Sequence, residues 1–132
     1  GIPMRTGPPP YFHSWPADTD LANWAQRVLA DHAAAEKIAL GYGSFATVST
    51  CTGTTATARE IDARTDAICE NMEGAGAALA CQQLKTPFLE LRGISNLVED
   101  RQPQRWDLAA GMLAAQKGVL KLLASLESSR PT

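Results

Sequence analysis

Apolar residues recur at helical spacing in two long segments of the chain. In the first segment, a candidate N-cap at Asp18 or Asp20 precedes a run of apolar positions: Leu21, Trp24, Ala25, Val28 and Leu29. The second begins after Asp107, another candidate N-cap, and carries an apolar stripe: Leu108, Met112, Ala115, Val119, Leu122, Leu123 and Leu126. The pattern predicts one helix near the N-terminus and a long amphipathic helix at the C-terminus.

Shorter β-rich and helix-like stretches alternate between these two helices. Three strands are predicted, "SFATVST" (44–50), "DAICEN" (66–71) and "PFLELRGISN" (87–96). A helix capped by Thr54 or Thr55 and a helix of small residues, "EGAGAALACQQL" (73–84), separate them. This alternation indicates an α/β fold with a largely parallel sheet. Three strands leave open edges, so we expect a larger sheet or a second chain to complete this one.

Composition excludes several functional classes. The 132 residues are 45% hydrophobic and 20% charged, with a net charge of −2, which predicts no nucleic-acid or membrane partner. The first 17 residues hold five of the eight prolines and read as a loop without a signal peptide. The cysteines, Cys51, Cys69 and Cys81, lack metal-site spacing. We therefore expect buried free thiols in a cytoplasmic protein, with no metal or cofactor.

Polar residues stand at the predicted carboxyl ends of all three strands, where open α/β sheets bind ligands. The ends are "STCTGT" (49–54), "NMEG" (71–74) and "ISN" (94–96). Glu73 lies where a helix begins, and the helix dipole there favours an ionised carboxylate. Such a group accepts hydrogen bonds and would suit a ribose diol. A glutamate that only serves the dipole is an equally good interpretation.

The other candidates have ordinary structural explanations as well. Asn96 could read the O6 and N7–H edge of a 6-oxopurine, but it and Ser95 could also cap a turn. Thr50, Thr52 and Gly53 could lay backbone against a flat ring, or simply form a turn.

Aromatic and basic residues add weaker signals. Trp106 would be either a lid over a ligand or a plug on the core. Arg92 is expected to pair inside the protein, with Glu73 as the candidate partner. Arg101 and Arg105 would be solvated, or would grip a ligand carboxylate. His13 reads as a structural or surface residue.

Two motifs together resemble those of the nucleoside phosphorylase and nucleosidase superfamily. They are "MEG" at 72–74, at a helix start, and "ISN" at 94–96, at the end of the following strand. Within it, "STCTGT", "NMEGAG" and "RGISNLVEDR…RWDL" are most similar to the futalosine hydrolase family. The resemblance implies a three-layer αβα fold with a central mixed, largely parallel sheet. It also implies that residues 1–132 form the C-terminal portion of a single domain whose N-terminal part lies outside this chain.

The resemblance further implies hydrolysis of a nucleoside N-glycosidic bond. Met72 and Glu73 would hold the ribose, Asn96 would face N7 and O6 of the base, and Trp106 would line the 5′ pocket. The acid that positions the water would lie in the N-terminal part. The implied partners are a small nucleoside and water, in a homo-oligomer or with a second chain that carries the N-terminal half. A purine nucleoside phosphorylase, a non-catalytic nucleoside-binding module and a structural fragment remain alternatives.

Overall fold

Residues 14–128 are described by the structure, which is a computed structural model. Its elements, in chain order, are helix α1 (Thr19–Glu36), strand β1 (Ser44–Thr47), helix α2 (Thr55–Thr65), strand β2 (Ala67–Asn71), helix α3 (Gly74–Gln83), a 3-10 turn (Pro103–Arg105) and helix α4 (Leu108–Ser128). The described part is therefore a mixed α/β structure. Most of the Pro-rich lead, including His13, and the last four residues lie outside it.

Helix starts follow the predicted caps. In each case, the side chain accepts a hydrogen bond from the backbone N–H three residues later: Asp18 from Leu21 (2.9 Å), Thr54 from Thr57 (3.2 Å) and Asp107 from Ala110 (2.9 Å). Such a cap stabilises a helix by about 1 kcal/mol. Asp18, Thr54 and Asp107, each a predicted N-cap candidate, are thus confirmed as caps.

The two strands form a parallel pair joined by α2, which makes a β-α-β unit. Phe45 is aligned with Cys69 and Thr47 with Asn71. The Val48 N–H then donates to the Asn71 carbonyl at 2.8 Å. The carboxyl ends of β1 and β2 therefore lie side by side, as the sequence predicted.

The predicted third strand, 87–96, is not a strand in the described residues. Its backbone forms no ladder with β1 or β2, and the described sheet has two strands. Instead, the Phe88 carbonyl accepts the Asp18 N–H at 2.9 Å and the Ser95 carbonyl accepts the Asp107 N–H at 2.8 Å. A strand is defined by its pairing partner, and these bonds tie the segment to the starts of α1 and α4 instead.

The long helix α4 packs against α1 through a face of small residues. Gly111 and Gly118 are its buried positions: Gly111 faces the backbone of Ile94 and Ser95, and the Cβ position of Gly118 lies 3.6 Å from Cδ2 of the buried α1 residue Leu29. A Cβ at Gly118 would lie 2.8 Å from Leu91 Cδ2, and Gly93 lies against the Gly111 carbonyl. The segment before α4 therefore approaches it too closely for larger residues.

Most members of the predicted apolar stripe of α4 are exposed in residues 14–128. Exposed members are Leu108, Met112, Val119, Leu123 and Leu126. The reason is that the glycine face takes the contact with α1 and the 91–95 segment. The expectation that a larger sheet or another chain completes the fold stays a prediction.

The cysteine prediction is partly wrong. All three thiols are free, but Cys51 is exposed in the loop after β1, while Cys69 and Cys81 are half-buried. No helix among residues 14–128 is long and apolar enough to cross a membrane. The same residues contain no group of three or more His, Cys, Asp or Glu side chains that could hold a metal ion.

Candidate active site

The start of α3 is built by two polar side chains at the strand ends. Asn71 is 7% exposed, and its Oδ1 accepts from the Gly74 N–H at 2.7 Å, the Glu73 N–H at 3.2 Å and the Thr47 hydroxyl at 3.0 Å. The Thr47 oxygen in turn accepts the Ala75 N–H at 2.9 Å. Because the strand ends satisfy the free N–H groups of α3, no other side chain is needed as its cap.

Glu73 is therefore left to face outward. Its side chain is 72% exposed and makes no cap hydrogen bond to α3. Glu73 Oε2 accepts from the Met72 N–H and from Arg92 Nη2, each at 3.3 Å. The predicted pair between Arg92 and Glu73 is confirmed. Met72 is itself 52% exposed, so both residues of the "ME" pair stand at the surface beside the helix start.

A second carboxylate holds the other side of the Arg92 guanidinium. Glu90 Oε1 accepts from Arg92 Nε at 2.5 Å, and the Glu90 side chain is only 17% exposed. Burial alone would lower the pKa of Arg92. The hydrogen bonds and negative charges of Glu90 and Glu73 outweigh that effect and raise the Arg92 pKa above its ordinary value. Arg92 is therefore a fixed cation between two anions.

The loop after β1 carries Thr50, Thr52 and Gly53, and it is anchored at two points. The Thr52 N–H donates to Glu70 Oε1 at 3.1 Å, and the Gly53 carbonyl accepts the Arg101 N–H at 3.2 Å. Thr50 is exposed and Thr52 is half-buried. The loop is thus attached to β2 on one side and to the segment before α4 on the other.

A reciprocal pair of hydrogen bonds strengthens the second attachment. The Thr55 N–H donates to Asp100 Oδ1 at 3.0 Å, and the Asp100 N–H donates to the Thr55 hydroxyl at 3.2 Å. The segment that follows "ISN" is therefore tied to the loop of the first strand.

Ser95 and Asn96 form a small unit of their own. The Ser95 hydroxyl donates to Asn96 Oδ1 at 2.7 Å, and Asn96 Nδ2 donates to the Leu97 carbonyl at 2.8 Å. These two bonds fix which end of the Asn96 amide carries the oxygen. A cavity of about 310 Å³ lies here, and its lining residues are Ile94, Ser95, Asn96, Leu97, Glu99 and Arg105.

Trp106 and its neighbours complete the polar loop. The indole is half-buried, and the Arg101 guanidinium carbon lies 5.6 Å from its ring centre. Arg105 donates to Glu99 Oε1 at 2.7 Å. Both arginines are exposed, as one interpretation expected, and each also has a contact on the surface: Arg101 lies over the Trp106 ring and Arg105 is paired with Glu99.

A second cavity, of about 480 Å³, lies beside the Glu90–Arg92 pair. Its lining residues are Leu89, Glu90, Leu91, Arg92, Gly93, Gly111, Met112 and Ala115. Glu73 lines neither cavity, and Asn96 lines only the smaller one. The described residues therefore bring Ser95 and Asn96 together in one cavity, and place Met72 and Glu73 outside both.

Similarity to known proteins identifies the family. The sequence profile of the phosphorylase superfamily matches residues 3–128. The chain belongs to the phosphorylase superfamily. This confirms, at the level of the superfamily, the resemblance carried by "MEG" and "ISN".

Two curated relatives of this phosphorylase-superfamily chain are futalosine hydrolases. The chain is 40% identical to the one from Streptomyces coelicolor over 100 residues, which cover 75% of this chain and 43% of the relative. It is 38% identical to the one from Acidothermus cellulolyticus over 71 residues, which cover 53% of this chain and 29% of the relative. The chain spans less than half the length of either relative.

Three polar residues of this superfamily member were not singled out from the sequence. Asn71 caps α3, Glu90 holds Arg92 and Asp100 holds the loop at Thr55. An asparagine can accept hydrogen bonds from backbone N–H groups two and three residues later, so its place before a helix start was a usable signal for Asn71. Glu90 and Arg92 share one face of an extended segment, so their spacing of two was a signal for the pair.

Proposed function

We propose that this phosphorylase-superfamily member hydrolyses the N-glycosidic bond of futalosine in menaquinone biosynthesis. The products would be hypoxanthine and dehypoxanthine futalosine. The observation that carries the proposal is the 40% identity to a futalosine hydrolase over 100 residues, a stretch that covers 75% of this chain. The proposal also takes the complete domain to be a three-layer αβα structure around a larger sheet.

The ribose would bind at the start of α3. Glu73 presents one exposed carboxylate, which is already oriented by Arg92 and the Met72 N–H. A carboxylate has about four lone-pair positions, so two such contacts leave capacity for the two ribose hydroxyls. Met72, exposed beside it, would pack against the sugar.

The base would be read by Asn96. In the structure its Oδ1 accepts one hydrogen bond and its Nδ2 donates one. One lone pair and one N–H remain. That remainder matches the edge of a protonated hypoxanthine, whose O6 accepts and whose N7–H donates. The two local bonds would present the amide in the required orientation.

The remaining candidates would surround the base and the 5′ group. Ser95 would support Asn96 through the hydrogen bond described above. Thr50, Thr52 and Gly53 would face the purine plane from the anchored loop after β1. Trp106 would line the pocket for the 5′ group. Its half-buried ring suits a surface that is apolar on one side.

Cleavage would proceed through an oxocarbenium-like transition state. The C1′–N9 bond breaks, the oxygen of a water molecule bonds to C1′ as that water gives up one proton, and the base leaves after taking up one proton at N7. Asn96 would stabilise the departing base by accepting from N7–H, and Glu73 would hold the ribose hydroxyls as the ring flattens. The group that activates the water would lie in the part of the relatives that this chain does not span.

Phosphorolysis is the alternative reaction, because the chain belongs to the phosphorylase superfamily. A phosphorylase would release the same base but would need inorganic phosphate, and would form a sugar 1-phosphate. The partner would be a small nucleoside in either case.

The exposed leucines of α4 support a proposed homo-oligomer, or a second chain carrying the rest of the domain.

The test is an assay of the intact protein with futalosine, with and without phosphate. Chromatographic release of hypoxanthine that does not depend on phosphate is the expected result. Release only with phosphate would show a phosphorylase. No release under either condition, at protein concentrations comparable to the substrate, would overturn the proposal and leave nucleoside binding, measured by calorimetry, as the function to assess.

A further inference from the structure

The segment between α3 and α4 divides its side chains between two faces. Leu91 points to the helices, where its Cδ2 meets the Gly118 position of α4. Glu90 and Arg92, on either side of Leu91, point the other way, because alternate residues of an extended chain face opposite sides. The Glu90 and Arg92 side chains therefore pair with each other, and Glu90 also contacts the start of α3.

Glu90 is placed more tightly than an ordinary surface acid. Its side chain is 17% exposed, and Oε1 bonds Arg92 Nε at 2.5 Å. Its Oε2 occupies the space where a Cβ of Gly74 would be, and Asn71 Oδ1 lies 2.9 Å from that same point. The absence of a Cβ at residue 74 leaves room for the Glu90 carboxylate beside the first turn of α3, and a larger residue there would require that carboxylate to shift.

Glu90, Arg92 and Glu73 form two consecutive ion pairs, and the two carboxylates at the ends differ in their exposure to solvent. Glu90 is mostly buried, Arg92 is 33% exposed and Glu73 is 72% exposed. Within residues 14–128, the Glu73 carboxylate accepts two hydrogen bonds, both at 3.3 Å, and one of the donors is Arg92 Nη2. The guanidinium is a rigid fork, so fixing its Nε at Glu90 also fixes the direction of Nη2.

We propose that Glu90 is a positioning residue for the candidate ribose site, acting on Glu73 through Arg92. The buried carboxylate of Glu90 holds the guanidinium, and the guanidinium holds the exposed Glu73 carboxylate beside the start of α3. This inference rests on the proposed function for its kinetic test, but its structural test does not.

A double-mutant cycle in the intact protein is the kinetic test. Glu90→Gln keeps the shape and removes the charge, and kcat/KM for futalosine should fall about tenfold. If Glu90 acts through Glu73, then adding Glu90→Gln to Glu73→Gln should lower kcat/KM by less than about twofold further. A full tenfold loss in the Glu73→Gln background would overturn the proposal. If Glu90→Gln fails to fold, Arg92→Lys takes its place in the cycle, because a single ammonium cannot bridge both carboxylates.

The structural test measures the order of the Arg92 side chain by nuclear magnetic resonance. The Nε–H order parameter should be high in the parent and in Glu73→Gln, and should fall in Glu90→Gln. Glu36→Gln is the matched control, because it breaks the pair with Lys117 between α1 and α4. It should change neither the Arg92 order nor kcat/KM. An equally ordered Arg92 in Glu90→Gln would overturn the proposal, whereas a parent without nucleosidase activity would overturn only the proposed function.

Discussion

The amide oxygen of Asn71, at the end of β2, accepts the backbone N–H of Gly74, the first residue of α3, at 2.7 Å. The same oxygen also accepts the Glu73 N–H and the Thr47 hydroxyl. One buried oxygen thus joins both strand ends to the helix that carries the candidate ribose site. The Glu73 carboxylate is not needed as a cap, which leaves it available for a ligand.

Asn71→Ala should lower the free energy of unfolding of the intact protein by about 1–3 kcal/mol, because three donors lose their buried acceptor. Chemical denaturation measures this change. Asn71→Asp is the control, since it keeps the acceptor oxygen and places a negative charge where the helix dipole favours it. It should be clearly more stable than Asn71→Ala at neutral pH. Equal stability of the two variants would mean that the hydrogen bonds to Asn71 contribute little.

Glu73→Gln should reduce turnover of futalosine while leaving the fold intact. A neutral amide accepts hydroxyl protons less well, and losing such charge-assisted bonds costs about 2–4 kcal/mol, or roughly 30- to 1000-fold in kcat/KM. The exposed position of Glu73 predicts little change in melting temperature. Parent-like turnover by Glu73→Gln would show that this carboxylate does not hold the ribose.

The helices could be predicted from local sequence signals, whereas the structure of the 87–96 segment depends on contacts with residues far away in the chain. Asp18, Thr54 and Asp107 cap their helices through bonds that span three residues, so the sequence near each one was sufficient. The 87–96 segment has strand composition. Whether it is a strand depends on a partner, and the described residues attach it to α1 and α4 instead.

In the candidate site too, residues with local sequence signals could be predicted and contacts between distant residues could not. Glu73 and Asn96 could be identified because they belong to the "MEG" and "ISN" motifs, and Glu73 also follows the end of β2. The pair of Arg92 with Glu73 was predicted, but the pair of Arg92 with Glu90 was not. The position of the Glu90 carboxylate depends on the space at Gly74, 16 residues earlier in the chain. In the same way, the burial of Gly111 and Gly118 instead of the leucines comes from the close approach of Gly93 and Leu91.

Gly93→Ala should destabilise the protein, because its new methyl group would meet the backbone carbonyl of Gly111, which cannot rotate away. Overpacking of this kind costs about 1–3 kcal/mol, seen as a lower midpoint in thermal or chemical unfolding. Gly76→Ala is the control, since a Cβ on that α3 residue meets nothing within 4 Å. It should stabilise the protein by about 0.5–1 kcal/mol. A parent-like midpoint for Gly93→Ala would contradict the close approach of this segment to α4.

Cys69 should react more slowly with a thiol-alkylating reagent than Cys51. Burial raises the pKa of the Cys69 thiol above its ordinary value, with the charges of Glu90 and Glu70 adding to the effect and Arg92 opposing it. Since the thiolate is the reactive form, iodoacetamide should label exposed Cys51 well before Cys69 at about pH 7.

The same shift has a consequence for stability. A thiol with a raised pKa in the folded state favours the protonated form, so its contribution is present at neutral pH. That contribution is lost as pH rises above the ordinary thiol pKa and through the raised one. The burial of Cys69 is tested by iodoacetamide labelling followed by mass spectrometry, under native conditions and in urea. The difference in labelling rate between Cys51 and Cys69 should vanish in urea. Equal native rates for Cys51 and Cys69 would contradict the burial of Cys69.

Asn96→Asp should shift the preference of the intact protein from 6-oxo toward 6-amino nucleosides. An aspartate there would only accept hydrogen bonds, so it would repel O6 and accept from the amino group of adenine. It would also still accept from the Ser95 hydroxyl, but it would face the Leu97 carbonyl without a proton to donate. A mismatched acceptor pair costs about 1–3 kcal/mol, so the ratio of kcat/KM for futalosine to that for its 6-amino analogue should fall roughly 10- to 100-fold. Ser95→Ala is the control, because it removes one support of the amide without changing its donors, and should lower both values alike. If Asn96→Asp also lowered both values equally, Asn96 would support the loop and not read the base.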